Sequence, residues 1–371
     1  SINFLEKLEI KNIKINTFYL HDQIQNFILN YKSDLNIEVI NDGNIILTYG
    51  AGFIDSDPIF VDTANGDYHL SDLSPVISAA ASEVTIDGVT YTAPTTDIEG
   101  NPRPNPAGTV PDMGAYENEN GAGPYDGPVW YVDASSELPY ANGGSGAPFS
   151  KIQFGINAAA GGDTISVAAG TYVENINFNS KNIAVIGAGR ETTTIDGDSS
   201  GIAVIINNTT SSSLLDGFTI QNGSGSSGFS NGAGVYCDDC VTVLKNLTVT
   251  ENNQDQQGDG SGIYSIQGNV TIENVSVTNN TGYFGAIGIL NGSTATLNGV
   301  TISDNVNSQW GGGIYVNGAV VNIYESQITN NSAYHGGGLY STSSSLVLMQ
   351  DVSVTQNTAS LGGGGIFGKS T

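Results

Sequence analysis

The chain has 371 residues, with 36 acidic side chains against 10 basic ones and a net charge of -26. That charge excludes nucleic acid and anionic membrane surfaces as partners, and it repels acidic polysaccharides unless calcium bridges them. No apolar run is long enough to span a bilayer, and the first residues lack the charged start and apolar core of a signal peptide, so the sequence reads as a mature product or an excised piece.

Residues 1–48 hold Lys7, Lys11, Lys14 and Lys32, together with two alternating runs, LEIKNIKI (8–15) and IEVI (37–40), that read as strands. They suggest the last coils of an earlier repeat domain. Residues 57–117 carry DPIFVDTANGDYHLSDLSPVISAA (57–80) and TDIEGNPRPNPAGTVPDMGAYE (96–117). These runs resemble the closing segment of bacterial right-handed β-helix proteins, which implies a terminal cap rather than chemistry. The segment departs from that pattern in ISAA and in an insertion at 81–95. All 11 prolines lie between Pro58 and Pro148. Proline cannot donate to a ladder and is expelled from stacked central strands, so the boundary of the next region is clear. ENENGAGPYDGP (117–128) reads as a polar Gly/Pro linker. The expected domains are therefore a cap at 1–118, a linker at 119–128 and a second domain at 129–371.

VWYVDASS (129–136) opens that domain, and PFSKIQFGINAAAGGDTISVAAGTYVENINF (148–178) follows. The latter resembles the opening of right-handed β-helix domains, including the pectin-methylesterase-like group, where a short amphipathic helix plugs the barrel end. Here Ile152, Ile156 and the alanines would face the barrel mouth, with Gly161 and Gly162 ending the helix. IAVIG (183–187), TTIDG (193–197), IAVIINN (202–208) and LLDGFTIQN (214–222) supply the next strands.

From Gly232 onward the chain repeats. GAGVY (232–236), GSGIY (260–264), GAIGIL (285–290), GGGIY (311–315), GGGLY (336–340) and GGGGIF (362–367) place Tyr236, Tyr264, Leu290, Tyr315, Tyr340 and Phe367 at one position of the repeat. A period of about 25 residues signals a solenoid. Between the Gly-rich segments, runs such as VTIENVSVTNN (270–280) alternate, break parity once and alternate again, the pattern of a strand, a corner and a strand. Three inward columns result: Leu244/Ile272/Leu297/Ile323/Met349, Leu247/Val275/Val300/Ser326/Val352 and Val249/Val277/Ile302/Ile328/Val354, with Ser326 as the polar misfit. Val235, Ile263, Ile289, Ile314, Leu339 and Ile366 form a fourth. Asn252, Asn280, Asn305, Asn331 and Asn357 recur at a turn, where stacked amides can bond along the stack and Asn tolerates a left-handed backbone.

The pattern predicts an all-β fold, a right-handed parallel β-helix with a short N-terminal capping helix. About eight coils at one strand spacing each would make a rod roughly 40 Å long. The Gly-Gly-Gly-Ile-Tyr strands and Asn-Asn turns resemble the repeats of polymorphic-outer-membrane-type and other secreted bacterial β-helix proteins. The resemblance implies an extracellular or cell-surface location and an adhesin-like or structural role.

The same fold also hosts polysaccharide lyases, hydrolases and esterases, so a carbohydrate-active enzyme is the alternative. Its usual residues are not evident: 129–371 has one arginine, Arg190, and no histidine lies with clustered aspartates. Asp196 and Asp216 would need to face one cleft to act as a carboxylate pair; Asp-Gly turns are the simpler account. DGDSSG (196–201) and DQQGDGSG (255–262) could hold calcium through oxygen ligands but fit neither the EF-hand spacing nor the nonapeptide calcium-roll repeat, and no other cofactor is expected. His21, His69 and His335 stand apart from one another in the sequence. Cys237 and Cys240 read as a local disulfide or as two inert thiols. The functional signal is aromatic. If the Ile column points inward, Tyr236, Tyr264, Tyr315 and Tyr340 line an outer face. Trp310, Tyr334 and His335, with Tyr283 and Phe284, precede the glycines at the same period. Such a face suits stacking on the sugar rings of a polysaccharide, or on a surface partner; mutual stacking within the solenoid is the competing account.

Overall fold

The computed structural model describes residues 12–16, 36–40 and 58–369, apart from 73, 87–88, 139, 212, 226–231, 255–257 and 343. The chain forms two compact units, Ser1–Asp55 and Ser56–Thr371. In the first, Asn12–Asn16 pairs in parallel with Asn36–Ile40, an offset close to one coil.

The second unit begins with two antiparallel hairpins. Phe60–Asp62 pairs with Asp67–Leu70, and Glu83–Ile86 with Val89–Thr92. The latter is the insertion, and its Val84, Val89 and Tyr91 are exposed. The GNPRP…DMGAYE motif that follows folds around charge. Arg103 Nε lies 2.6 Å from the buried Glu117 carboxylate, which also accepts from the N–H groups of Asn105 and Asp112. Residues 119–128 are not a free spacer. Val110 donates to the Ala122 carbonyl, Asn142 Nδ2 donates to that of Gly123, and Tyr125 packs edge-on against Trp130 and donates to the Val129 carbonyl.

Val129–Val132 starts the solenoid. The helix Ile152–Ala158 plugs its mouth with Ile152, Gly155 and Ile156 buried. The helix ends at Ala159 rather than at the glycines, because its free groups are met from elsewhere. Glu174 accepts from the N–H groups of Ile152 and Gln153, and the Lys181 ammonium donates to the carbonyls of Ile156, Asn157 and Ala159. An anion at the N-terminus and a cation at the C-terminus both complement the helix dipole.

One coil, from Ile263 to Ala286, describes the rest. It runs through Ile263–Ile266, Asn269–Glu273, Ser276–Thr278 and Thr281–Phe284, and each strand joins a parallel sheet. The first, second, third and fourth sheets have eight, nine, eight and four strands. All four corners use left-handed backbone: Gln267, Asn274, Asn279 and Gly285 have φ of 54°, 53°, 55° and 54°. The expected parallel β-helix is thus present, and its interior is one continuous apolar core.

Two details differ from the sequence reading. In GAIGIL it is Ile287, not Ile289, that pairs with Ile263 and Ile314; both isoleucines are buried, so burial alone does not set the register. The left-handed corner residues are Glu251, Asn279, Asp304, Asn330 and Gln356, each one position before the expected asparagine. The asparagines turn inward instead. Asn252 Nδ2 donates to Asn280 Oδ1 at 2.9 Å, Asn280 to Asn305 at 3.0 Å, Asn305 to Asn331 at 2.9 Å and Asn331 to Asn357 at 3.0 Å. Each Oδ1 also accepts the backbone N–H of the preceding asparagine. Ser326, the misfit, donates to the Tyr324 carbonyl and accepts from the Val300 N–H, so its buried hydroxyl is satisfied.

Candidate functional site

In each Gly-flanked strand the aliphatic residue points into the barrel and the tyrosine points away from it, as the alternation requires. That outer side is not solvent. The fourth sheet lies over it and the two faces enclose a second apolar cluster. Tyr264, Tyr315 and Tyr340 are only 1%, 4% and 2% exposed. The expectation of an open tyrosine stripe therefore fails for these three, because the strands Thr281–Phe284, Val306–Trp310, Ser332–Ala333 and Thr358–Ala359 cover them. Tyr236 is half-buried, stacks on Tyr264 at 5.4 Å and donates to Asp238. The column skips one ring. Gly288 pairs with both Tyr264 and Tyr315, and the buried Leu290 covers it.

Burial pushes the hydroxyls of Tyr236 and Tyr315 up to about 12, helped by Asp238 and Asp259 respectively, and pushes Tyr340 up as well. These phenols stay protonated and do not act as bases; the Tyr236 hydroxyl donates to Asp238. Burial alone lifts Asp259 to about 6.

A second aromatic column sits on the fourth sheet. Phe284 pairs with Trp310, and Trp310 bridges to His335. These half-buried rings wedge against the tyrosines: Phe284 stacks on Tyr315 at 5.2 Å, Trp310 on Tyr340 at 5.3 Å, and His335 lies 5.1 Å from Phe367. Trp310 and His335 are thus held in the wall. The residue before each turns the other way. Tyr283 stands edge-on over Phe284 at 4.5 Å and 83°, Tyr334 stands over His335 at 4.8 Å and 80°, and Gln309 occupies the position between them. Tyr334 is 42% exposed and Tyr283 half-exposed.

The accessible candidate face is therefore Tyr283, Gln309 and Tyr334. Of the seven residues expected to bind, Tyr334 alone lies fully on it; the other six support it or the solenoid. Gln309 was missed. Its signal is positional: it precedes Trp310 as Tyr283 precedes Phe284 and Tyr334 precedes His335, each pair just before the Gly-rich strand.

Elsewhere, Asp196 and Asp216 project from different sheets, the third and the second, and do not face each other across one cleft. Burial works against the Asp196 carboxylate, but bonds from Gln221, the Asp198 N–H and Asn222 outweigh it and hold the group below the usual range. It is a turn anchor. Residues 255–257 of the other expected calcium loop lie outside the described residues, and among those described no three His, Cys, Asp or Glu side chains converge as metal ligands. A shallow groove of about 310 Å³ lies on the second sheet near Tyr131, Ser166 and Ile186. Its acid, Asp133, is held low by bonds from the Ser135 hydroxyl and N–H, which unsuits it as a proton donor. Cys237 and Cys240 form a disulfide with Cα atoms 5.7 Å apart. No described helix is long and apolar enough to cross a membrane.

Stacked parallel strands around an apolar core define the molecule as a parallel β-helix protein. No protein-family model matches the sequence, and no curated protein matches it. Among solved structures it is similar to a pectate lyase, at 15% identity and a TM-score of 0.40 over 60% of this chain, and it spans 64% of that enzyme's length. It is also similar to a pectin methylesterase from carrot, at 12% identity and a TM-score of 0.30 over 68% of this chain and 91% of that one. The likeness is one of fold.

Proposed function

We propose that the chain is a non-catalytic extracellular β-helix scaffold, adhesin-like in role, that binds polysaccharide on the outer face of its fourth sheet. One observation carries this reading: Tyr283 and Tyr334 stand outward in the same pose, on inner rings locked by stacking, with Gln309 between them. Rigid aromatic faces flanked by amide donors and acceptors suit sugar rings. The disulfide favours an oxidising, extracellular setting. In this account residues 1–118 close one β-helix, 119–128 join it to the next, and 129–371 open that next one, as in a tandem surface protein. The parallel pair of Asn12–Asn16 and Asn36–Ile40 supports an earlier coil.

The test is electrophoresis of the full chain through gels that each contain one polysaccharide, with and without calcium, stained for retardation and for clearing. Retardation without clearing, lost in Tyr334→Ala, is the expected result. Clearing of any gel would make the protein a carbohydrate-active enzyme and end the scaffold reading. Migration unchanged by every polysaccharide would leave a protein-binding or purely structural rod.

A further inference from the structure

The spacing of the exposed rings narrows the ligand. Phe284, Trp310 and His335 occupy successive coils, so Tyr283 and Tyr334 are two coils apart. Two strand spacings make about 9.6 Å along the solenoid axis. A pyranose ring linked through equatorial oxygens at opposite ends advances by a length close to one such strand spacing. In an extended β-1,4-linked chain alternate rings also present the same face. The first and third sugars of such a chain would therefore meet Tyr283 and Tyr334 in equivalent poses, and the second would lie over Gln309.

Charge narrows it further. The four strands of the fourth sheet read TGYF, VNSQW, SA and TA, followed at their outer edge by Tyr334 and His335, and contain no Asp, Glu, Lys or Arg. In a chain of net charge -26 these four strands carry no charged side chain, with Asp259 bridged to Phe284 at one edge, and they offer no cation to a uronate.

We infer that this face takes a linear, uncharged, β-1,4-linked glycan lying along the solenoid axis with at least three sugars in contact; the assignment rests on the polysaccharide reading above. α-Linked chains coil and do not present alternate rings at this repeat, and acidic chains meet repulsion without compensation.

Calorimetric titration of the full chain tests it, with cellohexaose, mannohexaose, cellobiose, maltohexaose and hexagalacturonate as probes. One or both β-1,4 hexaoses should bind, and a disaccharide of the same linkage should bind at least about tenfold more weakly because it reaches one tyrosine only. Tyr283→Ala and Tyr334→Ala should each weaken hexaose binding about tenfold, while Tyr334→Phe, which keeps the ring, stays near wild type. Maltohexaose or hexagalacturonate binding as tightly as the β-1,4 hexaoses would overturn the inference and leave polysaccharide binding standing. Hexaose binding that survives both alanine substitutions would move the site elsewhere. Silence with every sugar, together with unretarded migration in every gel, would end both readings. Should an alanine variant misfold, the hexaose-to-disaccharide ratio of the wild-type protein still decides.

Discussion

From Asp97 to Asn118 the chain has little regular structure, and three carboxylates take up backbone N–H groups that no ladder reaches. Asp97 accepts from Glu99, Asn101 and Glu117, Glu117 from Asn105 and Asp112, and Asp112 from Ser78 and Asn118. In the solenoid the same demand at the buried corner is met by neutral amides, Asn252 through Asn357. The difference is one of valence. An amide both gives and receives, so each asparagine passes the bond to the next coil and the ladder extends with the repeat. A carboxylate only receives, so its network must close, here around the single guanidinium of Arg103. A charged knot suits a segment made once, and an amide ladder suits one made many times. The knot also depends on pH, which the ladder does not.

The knot should break hardest. Glu117→Ala strips Arg103 of its carboxylate and leaves the Asn105 and Asp112 N–H groups without an acceptor. Removing one partner of a buried pair costs about 3–5 kcal/mol. Hydrogen exchange across 97–118 should accelerate strongly while the amides of 263–340 keep their protection. Uniform loss of protection in both stretches would show that the two regions unfold as one. The ladder comes next. Asn305→Ala leaves the N–H of Asn280 without its acceptor, takes one of three acceptors from Asn280 Nδ2, which keeps the Val249 and Thr278 carbonyls, and removes the amide that donates to the Val277 carbonyl. The cost should be about 2–4 kcal/mol, since buried groups lose partners. Urea unfolding followed by tryptophan fluorescence, from Trp130 and Trp310 together, measures it, and a loss below about 1 kcal/mol would mean that water replaces the amide.

These regions also differ in how far the sequence discloses them. The apolar columns at Leu244, Leu247 and Val249 and their successors are legible because strand alternation and coil period reinforce each other. The fourth sheet is not. Its strands share no alternation, one carries a register shift between Gly282 and Phe284, and two are only two residues long. Without that sheet, alternation alone puts tyrosines that point away from the barrel in solvent, and Tyr264, Tyr315 and Tyr340 are misplaced. GAIGIL was ambiguous for a related reason, since Ile287 and Ile289 lie on the same side of the strand and both are buried. In the cap, the GNPRP…DMGAYE motif marks the segment, but nothing in its spacing says that Glu117 binds Arg103. That pairing depends on a path through irregular backbone, which periodicity does not encode.

The smallest effect separates the regions by pH. Burial, above all, lifts Asp112 to about 6, with the Glu117 charge adding to the lift and the N–H groups of Asn118 and Ser78 opposing it. Its folded pKa lies above the unfolded value, so between about 4 and 6 the folded cap holds a proton that the unfolded chain has released. Stability of the cap therefore falls as pH rises through that window, and the penalty is complete above it. Asp97 acts in the opposite sense. Burial raises it, but bonds from Asn101, Glu117 and Glu99 prevail and hold it at about 2, so its contribution is present above the unfolded pKa and fades as pH falls toward 2. His69 is raised by Asp67 and Glu99 but is well exposed, so it adds only a slight further loss as pH rises past its folded pKa. The cap should be most stable near pH 4 and lose roughly 2 kcal/mol by about 7.5 through Asp112. Hydrogen exchange at 97–118 should show this, and Asp112→Asn should flatten it. Asp259, lifted to about 6 by burial, gives the edge of the fourth sheet a trend of the same sign, which Asp259→Asn should remove without altering the cap. If Asp112→Asn keeps the full pH dependence of the cap, relief of the general negative charge, rather than one buried carboxyl, governs it.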